Sequence, residues 1–314
     1  MRNDDLFFAR QTFKRLRSFE ANIHPLPGIA DDPARQTFIF QIVESIRRIR
    51  FVHQVSQRPL GESRKDPATV YFDPIRAAIL YKRAGEIDEA CWLVFLFVHF
   101  GKNIKSGYRL IADVYGKLGQ GGIWTWVEAV KDTFAFRHWL DKNQQNLKTS
   151  DDIHRGFGNH RKYQSLDAWK PNGTGEAIQT YIAWVMNAGG HGRLFSSAIA
   201  FANDNPEEAF RHLYRSMNAV KSFGRTAKFD YLAMIGKLEL AAIRPDSVHF
   251  SGATGPLSGA RLLFTGSPKS KSSAKQLEPL SNLLASYLEV DKQVIEDSLC
   301  NWQKSPIRPV RFRG

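Results

Sequence analysis

Hydrophobic residues recur at helical spacing along most of the chain. Five isoleucine and valine positions between residues 39 and 49 share one face, so the pattern predicts an amphipathic helix over about residues 33–57. Asp73-Pro74 predicts a second helix start, because proline fits the first helical position. Asp88-Glu89 opens a third helix that is apolar on every side and is expected to be buried. Further helical patterns cover about residues 106–118, 123–146, 174–188, 206–220, 226–240, 274–288 and 291–304.

Strand patterns are scarce, and short apolar pieces such as Val248-His249-Phe250 are too brief to build a sheet. The chain is therefore predicted to be all-α. Residues 147–173 are polar, glycine-rich and basic, and we expect them to form a long loop between two helical lobes of about residues 1–150 and 174–304. Residues 305–314 form a basic, proline-broken tail.

Charge points to a polyanionic partner. Lys and Arg number 44 against 31 Asp and Glu, a net charge of +13, while 43% hydrophobic residues exclude a wholly disordered basic protein. Nucleic acid is the first candidate, ahead of an anionic membrane or an acidic protein.

The acidic start MRNDDLFFARQ does not fit a signal peptide, and the most apolar run, residues 91–100, is too short to span a membrane. The two distant cysteines also favour a soluble, cytoplasmic protein.

Metal and nucleotide motifs are missing from the sequence. The nine histidines are scattered, without a His-Glu-x-x-His motif or a Cys/His cluster. The glycine-rich run at residues 119–122 has neither a Walker lysine nor a preceding strand, and the one at 189–193 follows a helix. We therefore predict no metal and no organic cofactor.

The pattern that is most informative about function lies in residues 217–250. They predict a helix, a tight turn at Phe223-Gly224-Arg225 and a second helix from about Thr226, and such a helix start favours a DNA phosphate. This turn, followed by Arg244-Pro245-Asp246, resembles the hairpin and catalytic aspartate of the helix–hairpin–helix DNA glycosylase superfamily. Asp246 follows Gly224 by 22 residues, close to the spacing in the alkyl-base branch. The predicted DNA contacts are Lys221, Phe223, Gly224, Arg225, Thr226 and Lys228, with Arg161 and Lys162.

A wider resemblance covers most of the chain. It is carried by residues 35–52, 72–102, 158–169, 223–238, 252–264 and 294–305. These segments resemble the third clade of the alpha-glutamyl/putrescinyl thymine pyrophosphorylase family, a glycosylase-like group linked to hypermodified pyrimidines in phage DNA. Relatives of this kind include transferases that build such bases and bacterial defence glycosylases that excise them. The resemblance implies one glycosylase-like catalytic unit over residues 1–314, with two helical lobes around a base-binding cleft.

The resemblance assigns the catalytic carboxylate to Asp246. Cleavage of an N-glycosidic bond develops positive charge on the sugar, which a buried carboxylate stabilises. The alternative, structural interpretation of Pro-Asp-Ser is a helix cap. Lyase-competent relatives place a lysine two residues after the hairpin glycine, where this chain has Thr226, so the resemblance implies a monofunctional enzyme. Ser222-Phe223-Gly224 departs from the usual Gly-x-Gly turn.

Other residues have a functional and a structural interpretation. Asp230 either faces the pocket as a second carboxylate or forms an ion pair. The loop 158–163 offers phosphate contact and base stacking, or is merely an exposed basic loop. His99 and Lys102 end the buried helix, where cations act as caps. The predicted base pocket contains Gln41, Glu44, Arg47, His160, Tyr163 and Tyr231, of which the first three also fit a surface face with an Arg–Glu pair.

The leading hypothesis is a DNA glycosylase that flips out and excises a bulky modified pyrimidine, hydroxymethylated or glycosylated, from double-stranded phage DNA and leaves an abasic site. A second hypothesis is a transferase that attaches an amine or amino acid to an activated 5-hydroxymethylpyrimidine. The third is a non-catalytic DNA-binding module. The sequence leaves open which base is modified, and whether the protein defends a cell or serves a phage.

Overall fold

A computed structural model describes residues 3–149 and 155–309 of the chain. Across these ranges the backbone forms fourteen α-helices and no β-strand, which confirms the all-α prediction. The helices are α1 (Asn3–Asn22), α2 (Asp32–Gln57), α3 (Pro74–Arg83), α4 (Ile87–Phe100), α5 (Arg109–Tyr115), α6 (Trp126–Lys131), α7 (Thr133–Thr149), α8 (Thr174–Met186), α9 (His191–Phe201), α10 (Pro206–Ser216), α11 (Arg225–Lys237), α12 (Gly255–Thr265), α13 (Ala274–Leu288) and α14 (Lys292–Trp302).

Side-chain caps define several helix starts. The Asp73 carboxylate accepts hydrogen bonds from the first backbone N–H groups of α3, and proline follows it as the first helical residue. Asn205 and Pro206 repeat this arrangement at α10. Ser273 closes a capping box at the start of α13. Local sequence therefore fixes where these helices begin.

The chain divides into two compact units. One comprises Met1–His53 and Pro245–Gly314, and the other comprises Gln54–Arg244. This division differs from the predicted lobes, since the two ends of the chain fold together. The described part of the 147–173 loop lies within the second unit; its residues 150–154, and residues 310–314 of the basic tail, lie outside the described ranges.

The unit built from the chain ends has its own apolar core. Buried side chains of α1, α2, α12, α13 and α14 form one cluster, in which the rings of Trp302 and Phe38 are in contact. Gly259 lets α12 approach α14 closely, because a Cβ at that position would lie 2.3 Å from the carbonyl oxygen of Leu299. Residues far apart in sequence thus complete a single core.

The second unit, Gln54–Arg244, is the central unit of the chain and is organised around α4. Eleven of its fourteen residues are buried, as its all-round apolar pattern predicts. Trp92 donates a hydrogen bond from Nε1 to the carbonyl oxygen of Trp124 at 2.8 Å and packs against Trp126 and Phe136. The last turn of α4 ends beside the segment that follows residue 155. No helix in the described ranges is both long enough and apolar enough to cross a bilayer.

Candidate functional site

The turn between α10 and α11 carries the predicted DNA contacts. After α10 the chain makes a 3-10 turn at Met217–Ala219, and α11 begins at Arg225, one residue from the predicted start. Gly224 precedes α11 in an extended conformation, with no side-chain cap and no acidic residue in the first helical turn. The partial positive charge of the helix start is therefore not offset by a carboxylate of its own first turn.

Ser222 explains how the turn forms without a Gly-x-Gly sequence. Its φ of +58° is in the left-handed region that favours glycine, whereas Gly224 has an ordinary φ of −69°. The Ser222 hydroxyl donates to the carbonyl oxygen of Asn172, and its own carbonyl accepts from Gln164 Nε2 at 3.3 Å. Hydrogen bonds to a neighbouring loop therefore hold the serine in a conformation that glycine would adopt freely.

The loop 158–163 is fixed to the end of α4. Gly158 donates its N–H to the carbonyl oxygen of Phe100 at 2.7 Å. Arg161 is 9% exposed, and its guanidinium donates to the Val98 carbonyl oxygen at 2.7 Å and to the Asp230 carboxylate at 3.0 Å. Arg161 was predicted to contact a DNA phosphate, but its guanidinium faces inward and binds groups of the protein itself. Asp230 forms the ion pair that was its alternative interpretation.

We expect Arg161→Met to lower the free energy of unfolding by about 2–4 kcal/mol. The substitution leaves the buried Val98 carbonyl oxygen without its donor and removes the partner of Asp230, whose half-exposed position reduces that second contribution. Lys162→Met at the exposed neighbouring position is the matched control, expected within about 0.5 kcal/mol of the wild type. Urea unfolding followed by circular dichroism measures both. Equal losses in the two variants would contradict a structural role for Arg161.

A cleft of about 540 Å3 lies between this loop and the turn. Its walls are Tyr163, Gln164, Asn172, Val220, Lys221, Ser222, Phe223 and Gly224. Tyr163 is 91% exposed, and the Lys162 ammonium lies 5.0 Å from its ring centroid. The structure therefore brings together the predicted stacking residue and part of the predicted turn. Gln164 and Asn172, which were not among the predicted site residues, also line the cleft.

The inner wall of the cleft rests on a stack of rings. Phe223 is buried and lies parallel to Phe95 at 4.9 Å and to His99 at 6.2 Å between ring centroids. Burial, and secondarily the charge of Arg161, lowers the pKa of His99 to about 3. The expectation that His99 acts as a cationic cap is therefore wrong: the ring is neutral near pH 7 and bonds to Thr174 Oγ1 at 2.9 Å.

Other predicted contacts have internal partners. Lys228 Nζ contacts Asn218 Oδ1 and lies 4.3 Å from the ring centroid of Tyr214, and burial lowers its pKa. The Arg225 guanidinium lies 5.0 Å from the ring centroid of Phe229.

The remaining predicted residues differ in exposure. Thr226 is half-buried and His160 is exposed. Tyr231, predicted in the base pocket, is fully buried, bonds to Tyr181 Oη at 2.9 Å and does not line the cleft.

Asp246 belongs to the unit formed by the chain ends. Its side chain is 5% exposed and accepts a hydrogen bond from His249 Nε2 at 2.8 Å. No helix begins near it, since α12 starts only at Gly255. The helix-cap interpretation is therefore excluded. The structure shows a buried carboxylate paired with a histidine that sequence reasoning had not placed in the site.

The row Gln41, Glu44 and Arg47 also lies in this unit. Arg47 donates to the Glu44 carboxylate and, at 2.7 Å, to that of Asp5 on α1. Gln41 is 2% exposed. The structure thus shows the Arg–Glu pair that was the alternative to base recognition, extended by an acid from α1.

Comparison with known proteins gives a family. A sequence profile described as alpha-glutamyl/putrescinyl thymine pyrophosphorylase clade 3 matches residues 33–314. The chain belongs to this family. The family is linked to thymine hypermodification, and membership indicates an enzyme that acts on modified thymine. Searches of curated proteins and of solved structures gave no match.

Proposed function

We propose that the protein is a monofunctional DNA glycosylase that excises a bulky modified pyrimidine from double-stranded DNA. The observation that carries the proposal is the Asp246 carboxylate, 5% exposed in a non-helical segment where it caps no helix. A carboxylate shielded from water stabilises the positive charge that develops on the sugar more strongly than an exposed one does. The glycosidic electron pair leaves with the base, which takes up a proton, and water supplies the hydroxyl at C1′.

DNA binding is supported by the central unit. The uncapped start of α11 attracts a phosphate, and the exposed Lys221 lines the cleft. The exposed Lys162 lies against the ring of Tyr163, which also lines it. Tyr163 offers an exposed ring on which a base can stack. Arg161 is assigned a positioning role for this loop.

The absence of lyase activity is supported at the turn. Thr226 occupies the position where lyase-competent relatives have a lysine, and it cannot form a Schiff base. The nearest lysine in sequence is Lys228, whose Nζ contacts Asn218 and the Tyr214 ring. The expected product is therefore an intact strand with an abasic site.

The deciding experiment identifies the product on DNA that carries hydroxymethylated or glycosylated pyrimidines, with the unmodified sequence as control. Mass spectrometry of the nucleosides and of the small-molecule fraction is combined with an aldehyde-reactive probe. Free modified base together with abasic sites supports excision. Binding without any product supports the non-catalytic module instead.

Family membership also favours a second candidate, a transferase that attaches an amine or amino acid to an activated 5-hydroxymethylpyrimidine. The description of the family names glutamyl and putrescinyl thymines, which carry such groups. In that reaction the glycosidic bond survives and a carboxylate serves as general base for the amine. The same mass spectra separate the two, because transfer gives a heavier nucleoside and no free base when the amine is supplied.

Replacing Lys162 with glutamine is expected to reduce the salt dependence of DNA binding. Removal of one lysine–phosphate interaction reduces the steepness of log K against log salt by about 0.9. The measurement is fluorescence anisotropy of a labelled duplex at salt concentrations from about 50 to about 300 mM, with Lys221→Gln as a second test. Lys142→Gln, on an exposed position of α7, is the control with an unchanged slope. Identical slopes for all three variants would contradict the proposed contact surface.

A further inference from the structure

We propose that His249 is a positioning residue that fixes the orientation of the Asp246 carboxylate. This inference rests on the proposed function, because it concerns the same carboxylate. Nε2 of His249 lies 2.8 Å from Asp246 Oδ1, and the two side chains are only 14% and 5% exposed. A carboxylate accepts hydrogen bonds, so the imidazole nitrogen is the donor.

The backbone around His249 is clamped from α13. The Glu278 carboxylate accepts the N–H of Phe250 at 2.7 Å and the hydroxyl of Ser247 at 2.6 Å. Asn282 accepts the N–H of Val248 at 3.1 Å and donates to the Ser247 hydroxyl at 2.9 Å. Peptide groups on both sides of His249 are therefore tied to one helix.

This clamp holds a strained backbone. His249 has a φ of +48°, a left-handed conformation that is unfavourable for a residue with a Cβ. Such a conformation persists where surrounding contacts determine it, and it is concentrated at functional sites. Here the strain occurs at the residue whose ring meets the candidate catalytic carboxylate. The Asp246 carboxylate is thus held by a hydrogen bond from the His249 side chain, and His249 is held by the backbone hydrogen bonds of its two neighbours to α13.

Orientation of the carboxylate affects the rate more than the affinity. Charge develops at C1′ only as the glycosidic bond breaks, so a misplaced carboxylate loses transition-state stabilisation while DNA contacts elsewhere persist. A residue that acts through orientation is replaceable by another donor at the same place. Glutamine provides one, because its Nε2 stands at a similar distance from the backbone as that of histidine.

The test compares His249→Phe with His249→Gln in single-turnover base release. Both substituents keep a Cβ and so carry the same left-handed backbone. We expect the phenylalanine variant to react about 30–100-fold more slowly, with a DNA dissociation constant within twofold of the wild type. The glutamine variant is expected within about fivefold of the wild-type rate.

The outcomes separate this inference from the proposed function. If the wild type releases no base, the proposed function fails. If it releases base and both variants react at the wild-type rate, or both lose rate equally, His249 has no positioning role. Loss of DNA affinity without loss of rate overturns it as well. Should the phenylalanine variant not fold, the glutamine variant decides: a rate as low as that of Asp246→Asn overturns the inference.

Discussion

Asp246→Asn is expected to slow base release about 10³-fold in single turnover, with DNA affinity within a factor of two of the wild type. The amide keeps the size of the carboxylate and an oxygen that can accept from His249, so the packing survives while the negative charge is lost. Removing one preorganised electrostatic group from a shielded site commonly costs 10²–10³-fold in rate, and a full charge belongs at the upper end of that range.

The measurement is rapid-quench release of the modified base with enzyme in excess over DNA. Asp230→Asn is the matched control, because Asp230 is the other predicted carboxylate and its side chain is 47% exposed. Its replacement removes an ion pair with Arg161 and is expected to change the rate less than threefold. A slow Asp230 variant beside a wild-type-like Asp246 variant would reverse the two assignments.

Local sequence predicts those helices whose starts and apolar faces are both encoded nearby. The structure places α2 at Asp32–Gln57, against a predicted range of about 33–57. Other helices differ from the prediction. The pattern over 123–146 contains a break at Asp132, where the chain leaves helical geometry and the carboxylate accepts from Ala135 N–H to start α7. Helices α1, α9 and α12 were not predicted at all. The glycines of α12 resemble a loop, although Gly259 allows close packing against α14.

Local sequence also fails to predict the contacts of several residues near the candidate site. Arg161 is a cation in a polar loop, which composition alone assigns to the surface, yet it is buried against carbonyl and carboxylate partners that are 63 and 69 residues away in sequence. Glu278 is 28 residues from the Phe250 N–H it binds. Such partnerships arise when helices pack, so no spacing rule reveals them. The prediction of Asp246 as the catalytic carboxylate rests on a family pattern and not on a local one.

Acid is expected to destabilise the protein through His99. The ring is fully buried beside Phe95 and Phe223, and its pKa of about 3 is far below the value near 6.5 of an unfolded histidine. Between these values the unfolded chain binds a proton that the folded protein does not. The stability is therefore fully present above about pH 6.5 and falls as the pH drops toward 3, by about 1.4 kcal/mol per pH unit from this group.

His99→Gln isolates this contribution from that of other acid-sensitive groups. Thr174 donates its hydroxyl hydrogen to the Ser165 carbonyl, so it accepts from His99 Nε2–H, and glutamine preserves that donor without titrating. We expect the variant to be less stable than the wild type at pH 7, because ring stacking is lost, but to have a shallower decline between pH 6.5 and 4. Urea unfolding at half-unit pH steps measures both curves, with the exposed His138→Gln as control. Parallel curves for the wild type and His99→Gln would mean that the ring takes up a proton in the folded protein as readily as in the unfolded chain.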